Sequence, residues 1–340
     1  MEFLNFNPRD KSLKLEEAPV PVPAENEVLI RVSFAGVSET DIQTIEGSYP
    51  RKENEDAVLL GREIVGVVQA IGSAVTTLSV GQAVAVNPNE GCDVCNFCRA
   101  GGYNHCQKAG AASTPEIWRN GGWRTHALVP EKQVYLVPAG VTLSQAVLAE
   151  PLSYLAHSWA KINPVEVGTG TLVIGAGILG FLWASLLHLH GLRKTVTIIE
   201  PRIKRRKLFE KLDLGFRALD IDDVKGEEFD LVIDCSGAGS ATETALTSLG
   251  SGGRLCLVGS TNPLAEIKFK PFQATRKEFS IIGAHINQFT FGRTLSLITA
   301  MGDTYLDYEK LGIGVYKLSR YEEALAAVKT GDITKAVFKF

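Results

Sequence analysis

The sequence predicts a β-rich, partly open barrel followed by a parallel α/β sheet. Short strand-like runs separated by Gly, Pro and Asn dominate the first 150 residues. After that point apolar strands alternate with helix-length segments, which is typical of a parallel sheet covered on both faces. The length of 340 residues suits about two domains, each with its own core.

The barrel is predicted from short apolar runs, and no long amphipathic helix interrupts them. Without such a helix to cover a flat sheet, the strands favour closure into a compact barrel. The runs are Glu27–Phe34, Ile64–Ile71, Ala83–Val86 and His126–Val129.

The second half of the chain predicts five buried strands with helices between them. A closing helix, Tyr321–Lys329, precedes a last strand, Lys335–Phe340, which we expect to return to the first domain. The five strands are Thr171–Ile174, Val196–Ile199, Leu231–Cys235, Arg254–Val258 and Phe279–Ile282. The helices between them are a segment that ends at Gly191, then Arg202–Leu212 and Ala241–Leu249.

Composition and charge exclude several classes of protein. A net charge of −3 and the lack of basic runs interleaved with aromatics argue against a nucleic-acid partner. The basic cluster Arg202–Lys207 favours the solvated start of a helix, with anion binding as the alternative. Residues 171–192 carry no formal charge, but their glycines and strand-like start favour a buried strand and helix over a membrane span. The N-terminus shows no secretory pattern, so we expect a cytoplasmic protein.

Four cysteines follow the spacing C-x2-C-x2-C-x7-C, within a lobe over about residues 88–110. Four thiolates form a closed tetrahedral site for one structural Zn²⁺, with no open position for substrate. Two internal disulfides are the alternative, which a cytoplasmic location disfavours. Cys235 and Cys256 lie inside predicted strands and are expected to act as small buried apolar residues. The predicted ligands are Cys92, Cys95, Cys98 and Cys106.

A glycine loop, G-x-G-x-x-G, follows one predicted strand and opens a helix. Gly175 permits the tight turn, Gly177 lets backbone approach a pyrophosphate, and Gly180 lets helix and strand pack closely. Glu200 ends the next strand, where a carboxylate accepts hydrogen bonds from ribose hydroxyls and favours NAD. Arg205 lies near enough to pair with a 2′-phosphate, so NADP is the alternative. Further candidate cofactor contacts are Ile178, Leu179, Cys235, Val258 and Gly259.

With these motifs the chain resembles the medium-chain dehydrogenase/reductase superfamily, and within it the sorbitol and threonine dehydrogenase branch. The shared motifs are A-G-V-x-x-T-D from Ala35, G-x-E from Gly61, the cysteine lobe, Gly121-Gly122-Trp123, Glu150-Pro151-Leu152 and the glycine loop. The resemblance implies a GroES-like catalytic domain from residues 1–153 and 286–340, and a Rossmann domain at 154–285. It also implies a nicotinamide cleft, a small-molecule substrate and a homodimer or homotetramer.

The chain departs from this family at its catalytic metal. Ser38 replaces a zinc-binding cysteine and Arg62 replaces a zinc-binding histidine. A neutral hydroxyl is a poor ligand and a guanidinium is none, so we expect catalytic Zn²⁺ to be absent. A zinc ion held by Glu63 and Glu150 alone is the alternative. Losing both Zn²⁺ and a thiolate removes one net positive charge from the site. Arg62 restores that charge beside the carboxylates of Asp41, Glu63 and Glu150, which would otherwise be costly to bury together.

The resemblance also implies roles for the remaining residues. Thr40 matches the hydroxyl that binds the substrate oxygen, and Asp41 matches the carboxylate that orients the metal-bound histidine. Glu150 matches a glutamate at the metal, and Gln43 replaces a histidine that ends a proton relay. Arg62 either substitutes for the metal or forms a structural salt bridge to Asp41 or Glu63.

Three functions remain open from the sequence. The first is alcohol–carbonyl interconversion in which Arg62, Thr40 and Ser38 face the developing oxyanion while Glu150 or Glu63 acts as base. The second is reduction of an activated C=C bond, and the third is nucleotide binding without turnover. Specificity is expected from the loops at residues 45–55, 109–123 and 285–293.

Overall fold

The computed structural model describes residues 1–49, 57–108, 121–261 and 264–340. The strands are β1 Glu2–Asn7, β2 Ser12–Glu17, β3 Glu27–Gly36, β4 Val58–Leu59, β5 Ile64–Ile71, β6 Ala83–Val86, β7 His126–Pro130, β8 Val134–Leu136, β9 Thr171–Ile174, β10 Val196–Ile199, β11 Arg217–Leu219, β12 Phe229–Asp234, β13 Leu249–Leu257, β14 Ser280–Gly283, β15 Ile313–Tyr316 and β16 Lys335–Lys339. The α-helices are α1 Glu39–Glu46, α2 Asn96–Arg99, α3 Leu143–Ala146, α4 Ala149–Ile162, α5 Ile178–Leu189, α6 Ile203–Glu210, α7 Gly239–Thr247, α8 Pro271–Lys277, α9 Phe291–Leu306, α10 Tyr308–Leu311 and α11 Tyr321–Thr330.

The barrel is built mainly from one sheet of order β15-β16-β3-β5-β6-β8, with β7 also paired to β3. The last strand β16 runs antiparallel to β3, with Val337 opposite Gly36. The predicted return of the C-terminal strand is therefore confirmed, and the two ends of the chain share one apolar core. Trp123 and Phe338 meet edge-on in that core, with ring centroids 5.3 Å apart.

The second sheet is parallel throughout and has the order β11-β10-β9-β12-β13-β14. Its central strand β9 is buried on both faces and leads directly into the glycine loop. Helix α5 follows, with Phe181, Leu182 and Trp183 fully buried. The uncharged run 171–192 thus forms β9 and α5, and no helix of the described residues is long and apolar enough to cross a membrane. The predicted barrel-plus-parallel-sheet fold is confirmed.

Helix α1 is one of the elements that the sequence did not predict, together with β1, β2, α4 and α9. Its N-cap Ser38 and its third residue Asp41 form a capping box, and Gly47 ends the helix at φ 80°. Strand β3 also runs two residues past its predicted end, to Gly36. The predicted domain boundary after residue 153 falls inside α4, so that boundary stays a prediction.

Candidate active site

A cleft of about 820 Å³ separates the barrel from the parallel sheet. Helix α1, the turn after β4 and the first turn of α4 supply its barrel wall, and the C-terminal ends of β9, β12 and β13 supply its other wall. Predicted catalytic residues that line the cleft are Ser38, Thr40, Arg62, Glu63 and Glu150.

Ser38 and Asp41 form a closed local pair at the start of α1. The Ser38 hydroxyl donates to Asp41 Oδ2 at 2.7 Å, and the Ser38 backbone N–H donates to the same oxygen at 2.8 Å. Asp41 Oδ1 accepts from the Gly61 N–H at 2.8 Å, which ties α1 to the turn that carries Arg62. One expectation is corrected here. The Ser38 proton is already used, so Ser38 is no oxyanion donor in this arrangement. Asp41 accepts from the Ser38 hydroxyl and from the backbone N–H groups of Ser38 and Gly61, so its hydrogen bonds in this structure fix the start of α1 and the turn before Arg62.

Arg62 pairs with Glu150 across the cleft wall. The Arg62 Nε lies 3.5 Å from Glu150 Oε1, and the Glu150 side chain is 5% exposed. The sequence offered a structural salt bridge from Arg62 to Asp41 or Glu63 as the alternative to a metal-replacing role, and the structure adds an ion pair with Glu150. Burial raises the pKa of Glu150, the Arg62 guanidinium opposes that rise, and the nearby Glu63 carboxylate adds to it. Glu150 is thus a carboxylate that holds a proton more readily than an exposed glutamate.

Glu63 has a partner that sequence reasoning did not find. Lys335, the first residue of β16, donates from Nζ to Glu63 Oε1 at 2.6 Å and to the Val37 carbonyl oxygen at 3.0 Å. Both side chains are 2% exposed and both line the cleft. A buried lysine at the start of an apolar strand needs a carboxylate partner, and that is the signal the sequence offered. The two residues are 272 positions apart, so no local pattern identifies the pair.

The opposite wall carries the glycine loop and the ends of the parallel strands. Gly175, with φ 96°, makes the tight turn, whereas Gly180 lies away from the cleft. A Cβ on Gly180 would lie 2.0 Å from the Gly175 carbonyl oxygen, so this position requires glycine for the close packing of α5. The other predicted cofactor contacts on the cleft are Gly177, Ile178, Leu179, Cys235, Val258 and Gly259.

Glu200 holds the glycine loop as well as facing the cleft. Its Oε2 accepts from the Ala176 N–H at 2.9 Å, and its Oε1 accepts from the Arg202 N–H at 3.0 Å. Arg205 lines the cleft beside it, whereas Arg206 pairs with Asp220 at 2.8 Å. The basic cluster is therefore divided between the cleft and an ordinary ion pair.

The four cysteines of the lobe converge on one point. Their Sγ atoms all lie within 4.8 Å of one another, with Cys95 Sγ 3.5 Å from Cys98 Sγ and 3.9 Å from Cys106 Sγ. Four sulfurs at Zn–S bonds of about 2.3 Å would lie about 3.8 Å apart, so the set fits a tetrahedral zinc ion. All four are free thiols without disulfides. Within the described residues this is the one set of His, Cys, Asp and Glu donors close enough together to hold a metal.

Further cleft residues come from segments in which the sequence showed no functional motif. Tyr154, one turn after Glu150, has its hydroxyl 3.0 Å from the Val258 carbonyl oxygen and 3.2 Å from that of Ala284. His285, within the predicted specificity loop 285–293, also lines the cleft. Of the other two predicted loops, residues 50–55 and 109–120 lie outside the described residues, as do 109 and 110 of the cysteine lobe.

At the rim of the cleft, two side chains join the barrel wall to the opposite wall through reciprocal hydrogen bonds. Gln43 of α1 donates from Nε2 to the Ser260 carbonyl oxygen at 3.2 Å, and the Ser260 hydroxyl donates to Gln43 Oε1 at 2.9 Å. Ser260 follows β13, so these two bonds connect the barrel to the parallel sheet.

Comparison with known proteins agrees with this architecture. The model of the alcohol dehydrogenase GroES-like domain matches residues 24–139, and that of the zinc-binding dehydrogenase domain matches residues 179–300. D-xylulose reductase A of Aspergillus niger is 31% identical, covering 96% of this chain and 93% of its own length. Sorbitol dehydrogenase of Halalkalibacterium halodurans is 27% identical, covering 95% of this chain and 94% of its own.

Among solved structures, an alcohol dehydrogenase of Escherichia coli complexed with NADH superposes with a TM-score of 0.86. It is 24% identical and covers 100% of this chain and 99% of its own. A GroES-like barrel and a nucleotide-binding sheet on either side of one cleft define an NAD(P)-dependent oxidoreductase of the dehydrogenase class. The chain belongs to the medium-chain, zinc-type alcohol dehydrogenase superfamily, in its polyol dehydrogenase branch.

Proposed function

We propose that this protein interconverts a hydroxyl and a carbonyl group of a polyol-like substrate with NAD, and that Arg62 and Glu150 replace the catalytic zinc. The observation that carries the proposal is the Arg62–Glu150 pair, which lines the cleft at positions for which the family resemblance implies metal-binding residues. The substrate class is taken from the names of the two relatives above, a D-xylulose reductase and a sorbitol dehydrogenase.

The charges of the site support this assignment. Asp41, Glu63 and Glu150 place three carboxylates on the barrel side of the cleft, and Arg62 and Lys335 return two positive charges. Burying carboxylates without cations is costly, so an enzyme that lost its metal needs a replacement charge. Arg62 supplies that charge at the cleft surface, since its side chain is still 21% exposed.

The chemistry assigned to the chain is proton handling and oxyanion stabilisation. A bound NAD would accept the hydride from the carbinol carbon during alcohol oxidation. The hydroxyl proton passes to a Glu150 oxygen, while Arg62 and Thr40 donate to the substrate oxygen as negative charge develops on it. In carbonyl reduction the same proton returns from Glu150 to that oxygen.

The cofactor preference is proposed from Glu200. Its carboxylate lines the cleft beside the glycine loop and is held by two backbone N–H groups, and we expect the adenosine ribose to bind there. Ribose hydroxyls can donate to it, whereas a 2′-phosphate would meet a fixed like charge. We therefore propose NAD as the cofactor, one zinc ion in the cysteine lobe, and a reducing, cytoplasmic location in which those thiols stay available.

We also propose self-association through the edge of the parallel sheet. Strand β14 is the edge strand, and Ile281 on it is 45% exposed. Exposed Phe269 and Phe272 lie close to it along the chain. An exposed edge strand with apolar side chains is suited to pairing with a second copy, and sedimentation velocity would measure the resulting mass.

The test is zinc content together with turnover, on protein purified without added metal. We expect about one zinc per chain, with NAD-linked oxidation of xylitol or sorbitol by the same preparation. About two zinc ions per chain, with turnover lost when one is removed, would contradict the metal-free site. Tight NAD binding without hydride transfer to any polyol or ketose would contradict the enzymatic assignment and favour a binding role.

A further inference from the structure

The loop that carries His285 joins the parallel sheet to α9. We call residues 284–290 the cleft loop, which starts after Gly283 of β14 and ends before Phe291. Ala284, His285 and Ile286 line the cleft, and burial lowers the pKa of His285, which favours the neutral ring that can both donate and accept a hydrogen bond.

The backbone of the cleft loop is strained at two positions. Ile286 has φ 44° and Phe289 has φ 53°, both in the left-handed region. This region is unfavourable for a β-branched side chain such as isoleucine, and it persists where surrounding contacts impose it. The contacts around the loop therefore decide where His285 lies.

The cysteine lobe and Asn87, just before it, supply the contacts to residues 287–289. Helix α4 binds the two ends of the loop, since Tyr154 donates to the Ala284 carbonyl oxygen and Thr290 donates to that of Ser153. The Tyr103 hydroxyl donates to Asn287 Oδ1, and Asn287 Nδ2 donates to Asn87 Oδ1 at 3.0 Å. Gln288 Nε2 donates to the Gly101 carbonyl oxygen at 2.7 Å. The Phe289 ring meets the Tyr103 ring edge-on, with centroids 4.8 Å apart. Asn287 is 1% exposed, so these bonds are shielded from water.

The lobe has little regular structure of its own to fix these groups. Gly101 and Tyr103 lie between Cys98 and Cys106, in a segment with one four-residue α-helix and one short 3₁₀ turn. A Cβ on Gly91 would lie 2.7 Å from Cys98 Sγ and 2.8 Å from Tyr103 Cβ, so Tyr103 packs directly beside the ligand cluster. A metal bound by the four cysteines would fix the groups that hold the cleft loop.

We propose that the cysteine lobe positions His285 in the cleft, with Tyr103 and Asn287 as the connecting residues. His285 then hydrogen-bonds a substrate hydroxyl, a role that rests on the proposed polyol chemistry. The lobe thereby acts on substrate binding as well as on stability. Tyr103 and Asn287 are positioning residues, since neither lines the cleft.

The first arm of the test measures the loop without requiring turnover. Tyr103→Phe removes one hydroxyl and keeps the ring contact with Phe289. We expect faster hydrogen–deuterium exchange over residues 284–290 in this variant, and in the wild-type protein after a chelator removes zinc. Tyr305→Phe is the matched control, because it also removes one tyrosine hydroxyl, which bonds the ring of His188 on α5 and no residue of the lobe or the cleft loop. Unchanged exchange in the cleft loop of Tyr103→Phe would overturn the proposal even if the protein turns over no polyol.

The second arm tests whether the effect of Tyr103 on substrate binding depends on His285. We expect Tyr103→Phe and His285→Ala each to raise KM for the polyol about threefold to tenfold, because each variant loses about one hydrogen bond to substrate. The change in kcat should be much smaller. The double variant should match His285→Ala alone, because both changes remove the same interaction. Additive increases in KM, or a fall in kcat with KM unchanged, would show a role independent of His285.

Discussion

Arg62 Nε and Glu150 Oε1 lie 3.5 Å apart on the cleft wall, at two positions for which the family resemblance implies metal-binding residues. The pair brings a fixed cation beside a carboxylate whose pKa burial raises. Together these two groups offer the oxyanion stabilisation and the proton acceptor that alcohol oxidation needs.

Replacing Arg62 should therefore reduce the chemical step more than substrate binding. We expect Arg62→Ala to lower kcat by about 10²–10³, the cost of losing one oxyanion donor. Arg62→Lys keeps the charge and should recover part of that loss. Arg217→Ala, which breaks the exposed pair with Glu227, is the control. Steady-state kinetics would show the difference, and an Arg62→Ala enzyme with wild-type kcat would assign Arg62 a structural role only.

The pH dependence of turnover should report Glu150. Because its pKa is raised, the carboxylate form is lost as pH falls through a value above that of an ordinary glutamate. Alcohol oxidation should fall along the same limb, and Glu150→Gln should remove the limb and lower kcat by about 10²–10⁴. A pH–kcat profile that keeps its acid limb in Glu150→Gln would assign the limb to another group.

The free energy of unfolding should also depend on pH through the protonation of Glu150. A raised pKa means that the folded state binds the Glu150 proton more tightly than the unfolded chain. The contribution of Glu150 to the free energy of unfolding is thus greatest below its ordinary pKa and is lost as pH rises through the raised one. Urea unfolding at several pH values would measure this slope.

The buried Lys335–Glu63 pair predicts an asymmetric response to mutation. Lys335→Met leaves the Glu63 carboxylate buried without its cation and should destabilise the protein by about 3–5 kcal/mol. The double variant Lys335→Met with Glu63→Gln should be markedly less destabilised, because no uncompensated charge remains. Denaturant unfolding of the four proteins of this cycle measures the coupling, and a loss in the double variant equal to the sum of the two single losses would rule it out.

Glu200 should set the preference between NAD and NADP. Glu200→Ser removes the fixed negative charge, so binding of NADPH should improve relative to NADH by roughly tenfold. Absolute affinity for both should decrease, because the Ala176 N–H also loses its acceptor. Fluorescence titration with the two reduced nucleotides gives the ratio. An unchanged ratio would place discrimination in Arg205 or elsewhere.

The cysteine lobe should lose its metal when one ligand is removed. Cys106→Ser should lower zinc from about one per chain to near zero, since a tetrahedral site needs all four ligands. Cys256→Ala removes a buried thiol from β13, outside the lobe, and should leave zinc unchanged. Elemental analysis distinguishes the two, and retained zinc in Cys106→Ser would place the ion at another site.

Much of the fold was accessible from sequence because its signals are local. Strands β5, β6, β9 and β10 match their predicted bounds, since each is a short apolar run bounded by turn residues. The glycine loop and the cysteine spacing likewise carry their geometry in consecutive residues. These features required no knowledge of distant contacts.

The missed features depend on contacts between distant segments. Lys335 reads as an ordinary strand residue until β16 pairs with β3 and brings it to Glu63. Ser38 was expected to face substrate because a zinc ligand occupies that position in relatives. In this chain the capping box turns its proton toward Asp41, and the spacing S-x-x-D was the signal for that alternative.

The Gln43–Ser260 bonds at the rim have a consequence for how protons leave the site. A side-chain amide neither gains nor loses a proton near neutral pH. This contact can therefore join the two halves of the molecule, but it cannot pass a proton from one group to the next. Protons released by alcohol oxidation must then travel through water at the mouth of the cleft, or on small buffer bases that enter it. Under the proposed alcohol oxidation, the surrounding solution would thus supply the proton transfer that the family resemblance assigns to an imidazole at the position of Gln43.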